Sequence, residues 1–199
     1  MQVDFTLPLD GKEHRFCVDC RAEDVNQVRE NGKAVYHCNV CGHTNPRAIY
    51  FYRHKSWEDE TGELWHESSG VFVKNQDNKY LFFKRTEFPI LLTIPSGHVD
   101  TGESPELAGK RELEEESGIV ADRLVKLGTE KVIGDSCSSG ADSHVCHTYF
   151  LKLDKDEKVT LSDEGEKALW LTLDEVESRG LVFGIDHIIK IYRQELDSL

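Results

Sequence analysis

The stretch of residues 97–119, GHVDTGESPELAGKRELEEESGI, constrains the fold of this 199-residue chain more than any other. Ser104 followed by Pro105 predicts a helix start, because a serine hydroxyl caps a helix and proline suits its first position. Gly118 predicts the helix end, since glycine readily adopts the left-handed conformation that terminates a helix. The sequence therefore predicts one helix with two well-defined ends.

Three glutamates stand at spacing i, i+3 and i+4 in this helix: Glu112, Glu115 and Glu116. The spacing places their carboxylates on one helix face. A charge run of this kind is usually a solvated face, whereas three oxygen ligands at one helix edge suit Mg²⁺ or Mn²⁺ far better than zinc. We favour the divalent-metal site, because the helix has only a thin apolar stripe and depends on the loop before it.

Four of the six cysteines form two C-x2-C pairs, with seventeen residues between the pairs: Cys17, Cys20, Cys38 and Cys41. This spacing is typical of a zinc ribbon, in which four thiolates hold a structural Zn²⁺. Disulfides are the alternative, and a reducing compartment disfavours them. A module of about fifty residues buries too little apolar surface to fold without its metal. Cys137 and Cys146 lack this spacing and are predicted to be ordinary thiols, one in a loop and one on a strand.

The charge of the chain is unevenly divided. Residues 1–55 hold 8 Lys or Arg and 7 Asp or Glu, a net charge of +1, and the remainder holds 16 and 30, a net charge of −14. An acidic main body is a poor non-specific binder of nucleic acid or of an anionic membrane. We also find neither a signal-peptide pattern nor an apolar run of membrane-spanning length, so a soluble cytoplasmic protein is expected.

The remaining sequence alternates strand patterns with turns and ends in amphipathic helices. The charged segment 53–63 is predicted to be the boundary between a ribbon at 1–55 and a second domain at 64–199. Apolar patterns predict strands near 3–7, 34–37, 48–52, 64–73, 80–84, 90–95, 124–133, 145–153 and 168–173. Helices are expected at 174–179 and 185–196.

Residues 97–119 resemble the Nudix box, the signature of the Nudix hydrolase family. The fixed positions of that pattern are all filled: Gly97, Glu103, Arg111-Glu112-Leu113, Glu115-Glu116 and Gly118-Ile119. The resemblance covers roughly residues 66–199 and implies an α/β/α sandwich, here preceded by the small β zinc ribbon. It also implies Mg²⁺-dependent or Mn²⁺-dependent hydrolysis of a nucleoside diphosphate linked to another group, with water attacking phosphorus.

Carried across by position, the resemblance gives roles to individual residues. Glu112, Glu115 and Glu116 would be metal ligands, joined by the backbone carbonyl of Gly97. Arg111 would orient these carboxylates and tie to Glu103, although a purely structural ion pair fits this arginine equally well. The general base would be Glu112 or, as a second candidate, the later loop residue Glu164, with Glu166 close behind it.

The sequence says little about the substrate. A ribbon ahead of this domain resembles the NADH pyrophosphatase arrangement, but the SQPWPFPxS-like stretch of that group is missing, as is the proline of many ADP-ribose pyrophosphatases. Ser96 stands where many relatives have a second glycine, for which we expect only local adjustment. The polar loop 134–143 is predicted to be mobile and to influence specificity. His144 and His147 should face opposite sides of a strand, each a candidate substrate contact with a structural role as the more common alternative.

Three hypotheses remain at this point. The first is a pyrophosphohydrolase acting on a small nucleotide conjugate such as ADP-ribose or NADH. The second is a non-catalytic nucleotide sensor, which an intact box disfavours. The third is an RNA-cap or nucleic-acid-linked protein that uses the ribbon as an adaptor, which the near-neutral ribbon disfavours. The ribbon could also mediate a homodimer or shape the substrate entrance. Four aromatic residues near the domain junction are predicted to pack in the core rather than stack on a base: Tyr50, Tyr52, Trp57 and Trp65.

Overall fold

The computed structural model describes residues 1–8, 10–51, 55–155 and 157–199. The elements in chain order are β1 (His14–Phe16), β2 (Val25–Glu30), β3 (Lys33–Cys38), β4 (Thr44–Asn45), β5 (Ile49–Phe51), β6 (Ser56–Glu58), β7 (Leu64–Lys74), β8 (Tyr80–Arg85), β9 (Leu92–Thr93), β10 (Ser96–His98), α1 (Pro105–Ser117), β11 (Val125–Ile133), β12 (Ser143–Lys152), β13 (Gly165–Leu171), α2 (Leu173–Glu177) and α3 (Phe183–Ser198).

The large sheet is built around β7, whose neighbours are β12 on one side and β8 on the other. The strand order is β11-β12-β7-β8-β13, and the short strands β6, β9 and β10 pair at its margins. Strands β12 and β7 run parallel over ten consecutive residue pairs, from Ser143 with Trp65 to Lys152 with Lys74. The long parallel pairing fixes which side chains of the two strands share a face.

Helices cover both faces of this sheet, giving three layers. Val71 and Val73 of β7 pack with Leu113 of α1 on one face, and Phe72 packs with Ile188 and neighbouring residues of α3 on the other. The alternation follows from the period of two residues along a strand. Full burial of each such side chain contributes about 1.5–3 kcal/mol. The α/β/α sandwich expected for the second domain is therefore observed.

Helix α1 has the ends that its sequence predicts. The Ser104 hydroxyl accepts a hydrogen bond from the backbone N–H of Leu107 (3.3 Å), and Pro105 follows at the first helical position. At the other end Gly118 has a φ of 72° and donates its N–H to the Glu114 carbonyl (2.8 Å). Gly109 lies on the sheet side, where a Cβ would come within 2.8 Å of the Ser69 hydroxyl. The helix thus lies very close to β7.

The N-terminal region forms two small sheets, β1-β5 and β2-β3-β4. The Cys17 carbonyl accepts from the N–H of Arg21 (3.1 Å), and the Cys38 carbonyl accepts from the N–H of Gly42 (2.9 Å). Both donors follow the second cysteine of a pair and have positive φ, 63° and 78°. These two matching turns and the small sheets fit a zinc ribbon.

The ribbon is joined to the sandwich by a shared apolar cluster and by backbone hydrogen bonds. Ile49 of the ribbon packs with Leu64 and Ala141 of the sandwich. The N–H of Ala48 donates to the carbonyl of Ser138 (3.0 Å). A Cβ at Gly140, where φ is 96°, would come within 2.8 Å of the Ile49 Cα. Backbone therefore lies directly against backbone at this joint.

Two sequence predictions need correction here. The predicted boundary 53–63 is not simply a linker, because Ser56–Glu58 is paired with β7 as part of the large sheet. Residues 52–54 lie outside the described residues. The predicted strand at 3–7 is also wrong: Gln2 and Glu63 form only an isolated bridge, and the alternating apolar side chains pack against the joint instead. Within the described ranges, no helix combines the length and the apolar character needed to cross a membrane.

Candidate active site

A cleft of about 590 Å³ lies between the part of the box that precedes α1 (the box loop), the loop before β12 and the ribbon. Gly97, Arg111, Glu112 and Glu115 line one side of it. The ribbon also lines it, through Gln27, Arg29, Tyr36 and Tyr50. A cleft of this size can hold a small organic ligand. The structure thus places residues of both domains around one cavity.

Arg111 connects the box loop to the box helix. Its Nε and Nη2 donate to the two carboxylate oxygens of Glu103 (3.1 and 3.0 Å), and Nη2 also donates to the carbonyl of His98 (3.0 Å). The hydrogen bonds from Arg111 lower the pKa of Glu103. Nη1 contacts the carboxylates of Glu112 (2.6 Å) and Glu115 (3.2 Å). The predicted tie to Glu103 is present, and the guanidinium also orients two of the three helix carboxylates.

Glu116 is the buried member of the glutamate set, with 4% of its surface exposed. Its Oε2 accepts a hydrogen bond from the backbone N–H of Ser96 (2.7 Å). Ser96 pairs with Gly70 across β10 and β7, and its Cβ lies 3.2 Å from where a Cβ on Gly70 would be. The serine at this family position is accommodated because its partner is glycine, which agrees with the expectation of local adjustment.

Glu112 lies directly against Gly97. A Cβ on Gly97 would fall within 2.1 Å of the Glu112 Oε1, so only glycine leaves room for this carboxylate. Burial raises the pKa of Glu112 to about 7, in spite of the opposing effect of Arg111. Burial and repulsion from Glu112 raise the pKa of Glu116 well above its usual value. Negative charge is therefore unfavourable here until a cation balances it.

The donor chemistry fits a hard divalent cation, because the set consists of carboxylate oxygens and the Gly97 carbonyl. The three carboxylates do not, however, converge on one point. Within the described part of the chain, three groups of His, Cys, Asp or Glu have ligand atoms within 4.8 Å of one another, and none contains Glu112, Glu115 or Glu116. Metal ligation by these residues stays a prediction.

The two candidate bases of the later loop differ in position. Glu164 lines the cleft, and its charge contributes to raising the pKa values of Glu112 and Glu116, after the larger effect of burial. Glu166 instead pairs with the Lys84 ammonium (3.3 Å). Position in the cleft therefore favours Glu164 over Glu166.

Arg85 is a site residue that sequence reasoning missed. It ends β8, lines the cleft, and its buried Nε has no hydrogen-bond partner among the described residues. Its charge also acts on Glu116, lowering that pKa against the dominant effect of burial. The sequence signal was slight, a single arginine after an apolar strand.

The four ribbon cysteines come together as predicted. Their ligand atoms all lie within 4.8 Å of one another. The Cys17 and Cys41 sulfurs are 3.8 Å apart, and those of Cys20 and Cys38 are 3.6 Å apart. Four sulfurs bound tetrahedrally to zinc at 2.3 Å would be about 3.8 Å apart. The arrangement fits a zinc ion, and all six cysteines are free thiols rather than disulfides.

Cys137 is not the ordinary loop thiol that was predicted. Its ligand atom lies within 4.8 Å of ligand atoms of three histidines, His66, His98 and His144.

His147 has a different partner, with its Nε2 2.7 Å from Glu67 Oε1. The loop 134–143, predicted to be mobile, is held at several points, for example by the bond from Gly134 N–H to the Asp142 carbonyl (2.7 Å).

Two of the aromatic residues near the junction are buried as expected. Tyr50 is 2% exposed, and its ring packs edge-on against that of Tyr36 with centroids 6.0 Å apart. Trp65 is buried, and the half-buried Trp57 stacks on it across β6 and β7, with centroids 6.1 Å apart. Tyr52 lies outside the described residues. Core packing therefore accounts for Tyr50 and Trp65, although Tyr50 also borders the cleft.

Curated proteins are similar to about half of this chain. A methanol dehydrogenase activator from Bacillus methanolicus is 32% identical over 111 residues, which are 53% of this chain and 57% of that protein. An ADP-ribose pyrophosphatase from Bacillus subtilis (strain 168) is 28% identical over 119 residues, or 55% of this chain and 62% of that protein. The matched part thus spans less than two thirds of either relative.

Solved structures share the fold of the second domain. The Nudix domain of Shewanella oneidensis NrtR complexed with ADP ribose aligns with a TM-score of 0.57 at 19% identity, over 70% of this chain and 94% of that one. A C. elegans Ap4A hydrolase binary complex aligns with a TM-score of 0.56 at 20% identity, over 67% and 99%. The family model described as NUDIX domain matches residues 64–190. Since that match covers more than half of the chain and includes the complete box, this chain belongs to the Nudix family.

Proposed function

We propose that this protein hydrolyses a diphosphate linkage in a nucleoside diphosphate conjugate, by attack of water on phosphorus, with Mg²⁺ or Mn²⁺ as cofactor. The observation that carries the proposal is the intact box, whose Glu112 and Glu115 line a cleft large enough for such a ligand. A divalent cation bound there would neutralise phosphate charge and polarise the phosphate oxygens.

The residues of the chain supply positioning and proton transfer. Arg111 holds the box loop to the helix through Glu103, which keeps Gly97 beside Glu112. Glu112 is the first candidate for the general base, because its carboxylate lines the cleft directly beside Gly97. Glu164 is the second, since it lines the same cleft. Arg85 is placed to contact a substrate phosphate.

ADP-ribose is the substrate to test first. The Bacillus subtilis relative is an ADP-ribose pyrophosphatase, and the Shewanella structure holds ADP ribose. The ribbon wall of the cleft offers Arg29 and Tyr36 for recognition of the part of the substrate beyond the diphosphate. We propose that the ribbon binds a structural Zn²⁺ and shapes the substrate entrance.

A hydrolysis screen tests the proposal. The full chain is incubated with Mg²⁺ and, separately, ADP-ribose, NADH, NAD⁺, diadenosine polyphosphates, nucleotide sugars, nucleoside triphosphates and capped RNA. With ADP-ribose we expect AMP and ribose 5-phosphate, and in ¹⁸O-labelled water the label must appear on a phosphate. Label on a ribose carbon would overturn the reaction class. Tight binding with no turnover of any compound would indicate a nucleotide sensor instead.

A further inference from the structure

A second cluster of metal-binding side chains lies outside the ribbon. His66 of β7, His98 of β10, His144 of β12 and Cys137 of the preceding loop each bring one ligand atom to within 4.8 Å of the others. They come from four separate places in the chain, and strand pairing places His144 directly opposite His66. The convergence of three imidazoles and a thiol is therefore a product of the fold.

The distances match a tetrahedral metal site. The Cys137 sulfur is 3.6 Å from His66 Nδ1. A zinc ion with Zn–S of 2.3 Å and Zn–N of 2.0–2.1 Å separates these two ligand atoms by about 3.6 Å at the tetrahedral angle. The centroids of the three imidazole rings lie 4.9, 5.8 and 5.7 Å apart, with interplanar angles of 81°, 79° and 36°, so the rings are close to one another without stacking face to face.

The surroundings of His144 orient it as a ligand. Its Nδ1 lies 3.3 Å from Asp135 Oδ2, close enough for an ion pair but without hydrogen-bond geometry, and Nε2 is the nitrogen that we assign to the cluster. Asp135 is itself fixed, because its Oδ1 accepts a hydrogen bond from the N–H of Gly184 at the start of α3 (2.9 Å). A carboxylate behind a histidine is the usual arrangement at zinc sites, where it sets the tautomer and the ring orientation.

The burial of His66 and His144 also supports a metal site. His66 is 0% exposed and His144 is 3% exposed. Side chains held out of solvent in this way match a structural metal site, which is closed to water. One metal ion would ligate a nitrogen on each ring and the thiolate simultaneously.

We infer that His66, His98, Cys137 and His144 bind a second Zn²⁺, separate from the ribbon site and from the box carboxylates. One sulfur and three nitrogens suit zinc and do not suit Mg²⁺, which prefers oxygen. Four protein ligands complete the tetrahedron, so the site is structural. The inference does not depend on the proposed hydrolase activity.

The ion would fasten the loop of residues 136–141 to the large sheet. That loop carries the joint to the ribbon, since the carbonyls of Ser138 and Ser139 accept hydrogen bonds from Ala48 and Tyr50 (3.0 and 3.1 Å). Arg47 also donates to the carbonyl of Cys137 itself (2.8 Å). The second zinc therefore supports the position of the ribbon over the cleft.

Elemental analysis of the full chain, purified without chelator, tests the inference. We expect two zinc ions per chain in the wild type. Cys137→Ser and His144→Ala should each retain one, and Cys38→Ser should also retain one, now held by the second cluster. Cys146→Ser is the matched control, because this thiol lies on the same strand as His144 but outside the cluster, and it should retain two.

Replacement of zinc by ¹¹³Cd in the wild type gives a readout that needs no variant. Two resonances are expected, one typical of four sulfur ligands and one shifted upfield by nitrogen ligands. A single resonance of the four-sulfur type would overturn the inference, even if the variants failed to fold. Retention of two zinc ions by Cys137→Ser, or loss of all zinc from a folded Cys38→Ser protein, would do the same.

Discussion

At the scale of single residues, Glu116 gives the clearest test of the metal assignment. The carboxylate is buried and accepts a hydrogen bond from Ser96, and Glu116→Gln preserves both the shape of the side chain and an acceptor oxygen. If the residue ligates Mg²⁺, kcat should fall by about 10²–10⁴, since metal stabilisation of the transition state is worth several kcal/mol and each ~1.4 kcal/mol is tenfold. The measurement is kcat as a function of Mg²⁺ and Mn²⁺ concentration.

Glu106→Gln is the control for this prediction, because Glu106 lies on the same helix and pairs with Lys110 (2.8 Å) away from the set of box carboxylates. It should keep near-normal turnover. Glu103→Gln should lose less than Glu116→Gln, since Glu103 braces the loop through Arg111. Normal turnover by Glu116→Gln at low Mg²⁺ would show that the acidic face is only a charged helix surface.

The Glu116→Gln substitution also leads to a prediction for the metal-free protein. Burial raises the pKa of Glu116 above the usual 4.5, so above pH 4.5 the folded chain retains a proton that the unfolded chain releases. Stability from this group is therefore lost as pH rises. Glutamine has no such proton. In EDTA, the melting temperature of Glu116→Gln relative to wild type should be lowest near pH 4.5 and increase toward pH 8. A difference that does not change with pH would contradict the raised pKa.

Some of these residue roles are visible in the sequence and others are not. The tie between Arg111 and Glu103 follows from the box pattern, and the structure contains it. The burial of Glu116 does not follow, because helical spacing places residues on a face without saying how deep that face lies. Arg85 escaped notice because its role depends on where β8 ends relative to α1, which one sequence does not specify.

At the scale of elements, the ribbon should depend on its metal. In Cys38→Ser the four-thiolate site is lost, and apparent zinc-binding energies of about 10–16 kcal/mol are the folding energy of such modules. We expect residues 10–51 to lose protection from hydrogen exchange, including the amides of Ala48 and Tyr50 that bond to the Ser138 and Ser139 carbonyls. Amides of the strands β7 and β12 should stay protected.

Cys146→Ser is the control here too, since it removes a thiol without touching the ribbon, and its exchange pattern should equal that of wild type. If β7 lost protection together with the ribbon, the two parts would form one cooperative unit rather than two.

Element prediction succeeded where the signal is local. Helix α1 was predictable because Ser104, Pro105 and Gly118 act on their own neighbouring backbone. The segment 3–7 was mispredicted as a strand because alternation indicates only that one side of the segment is buried. Here that side packs on the joint, and backbone pairing is limited to the bridge of Gln2 with Glu63. Residues 56–58 were assigned to the boundary because a charged edge strand has the composition of a linker.

At the scale of the whole molecule, the ribbon wall should affect substrate binding more than chemistry. Arg29 lines the cleft, and a hydrogen bond from a cation to an anionic substrate is worth about 1.5–3 kcal/mol. Arg29→Ala should raise KM by about 10–10²-fold and leave kcat nearly unchanged. Lys33→Ala is the control, an exposed ribbon lysine that does not border the cleft. An unchanged KM for Arg29→Ala would remove the ribbon from substrate recognition.

The sequence does not show which residues that are distant along the chain come together in the fold. The cysteine pairs of the ribbon can be recognised in the sequence, because their local spacing is fixed. The cluster of His66, His98, Cys137 and His144 has no such spacing, and only the pairing of β12 with β7 and the path of the loop bring its members together. Sequence reasoning accordingly predicted that the four ribbon cysteines come together and took Cys137 for an ordinary thiol.

The contact between Gly140 and Ile49 has a consequence for how a substrate is selected. Domains that close over a ligand turn about a flexible connection, whereas this joint brings two backbones together with no side chain between them. We therefore expect the width of the cleft to be set when the chain folds. Selection should follow a lock-and-key pattern, in which compounds too bulky for the gap are excluded by shape.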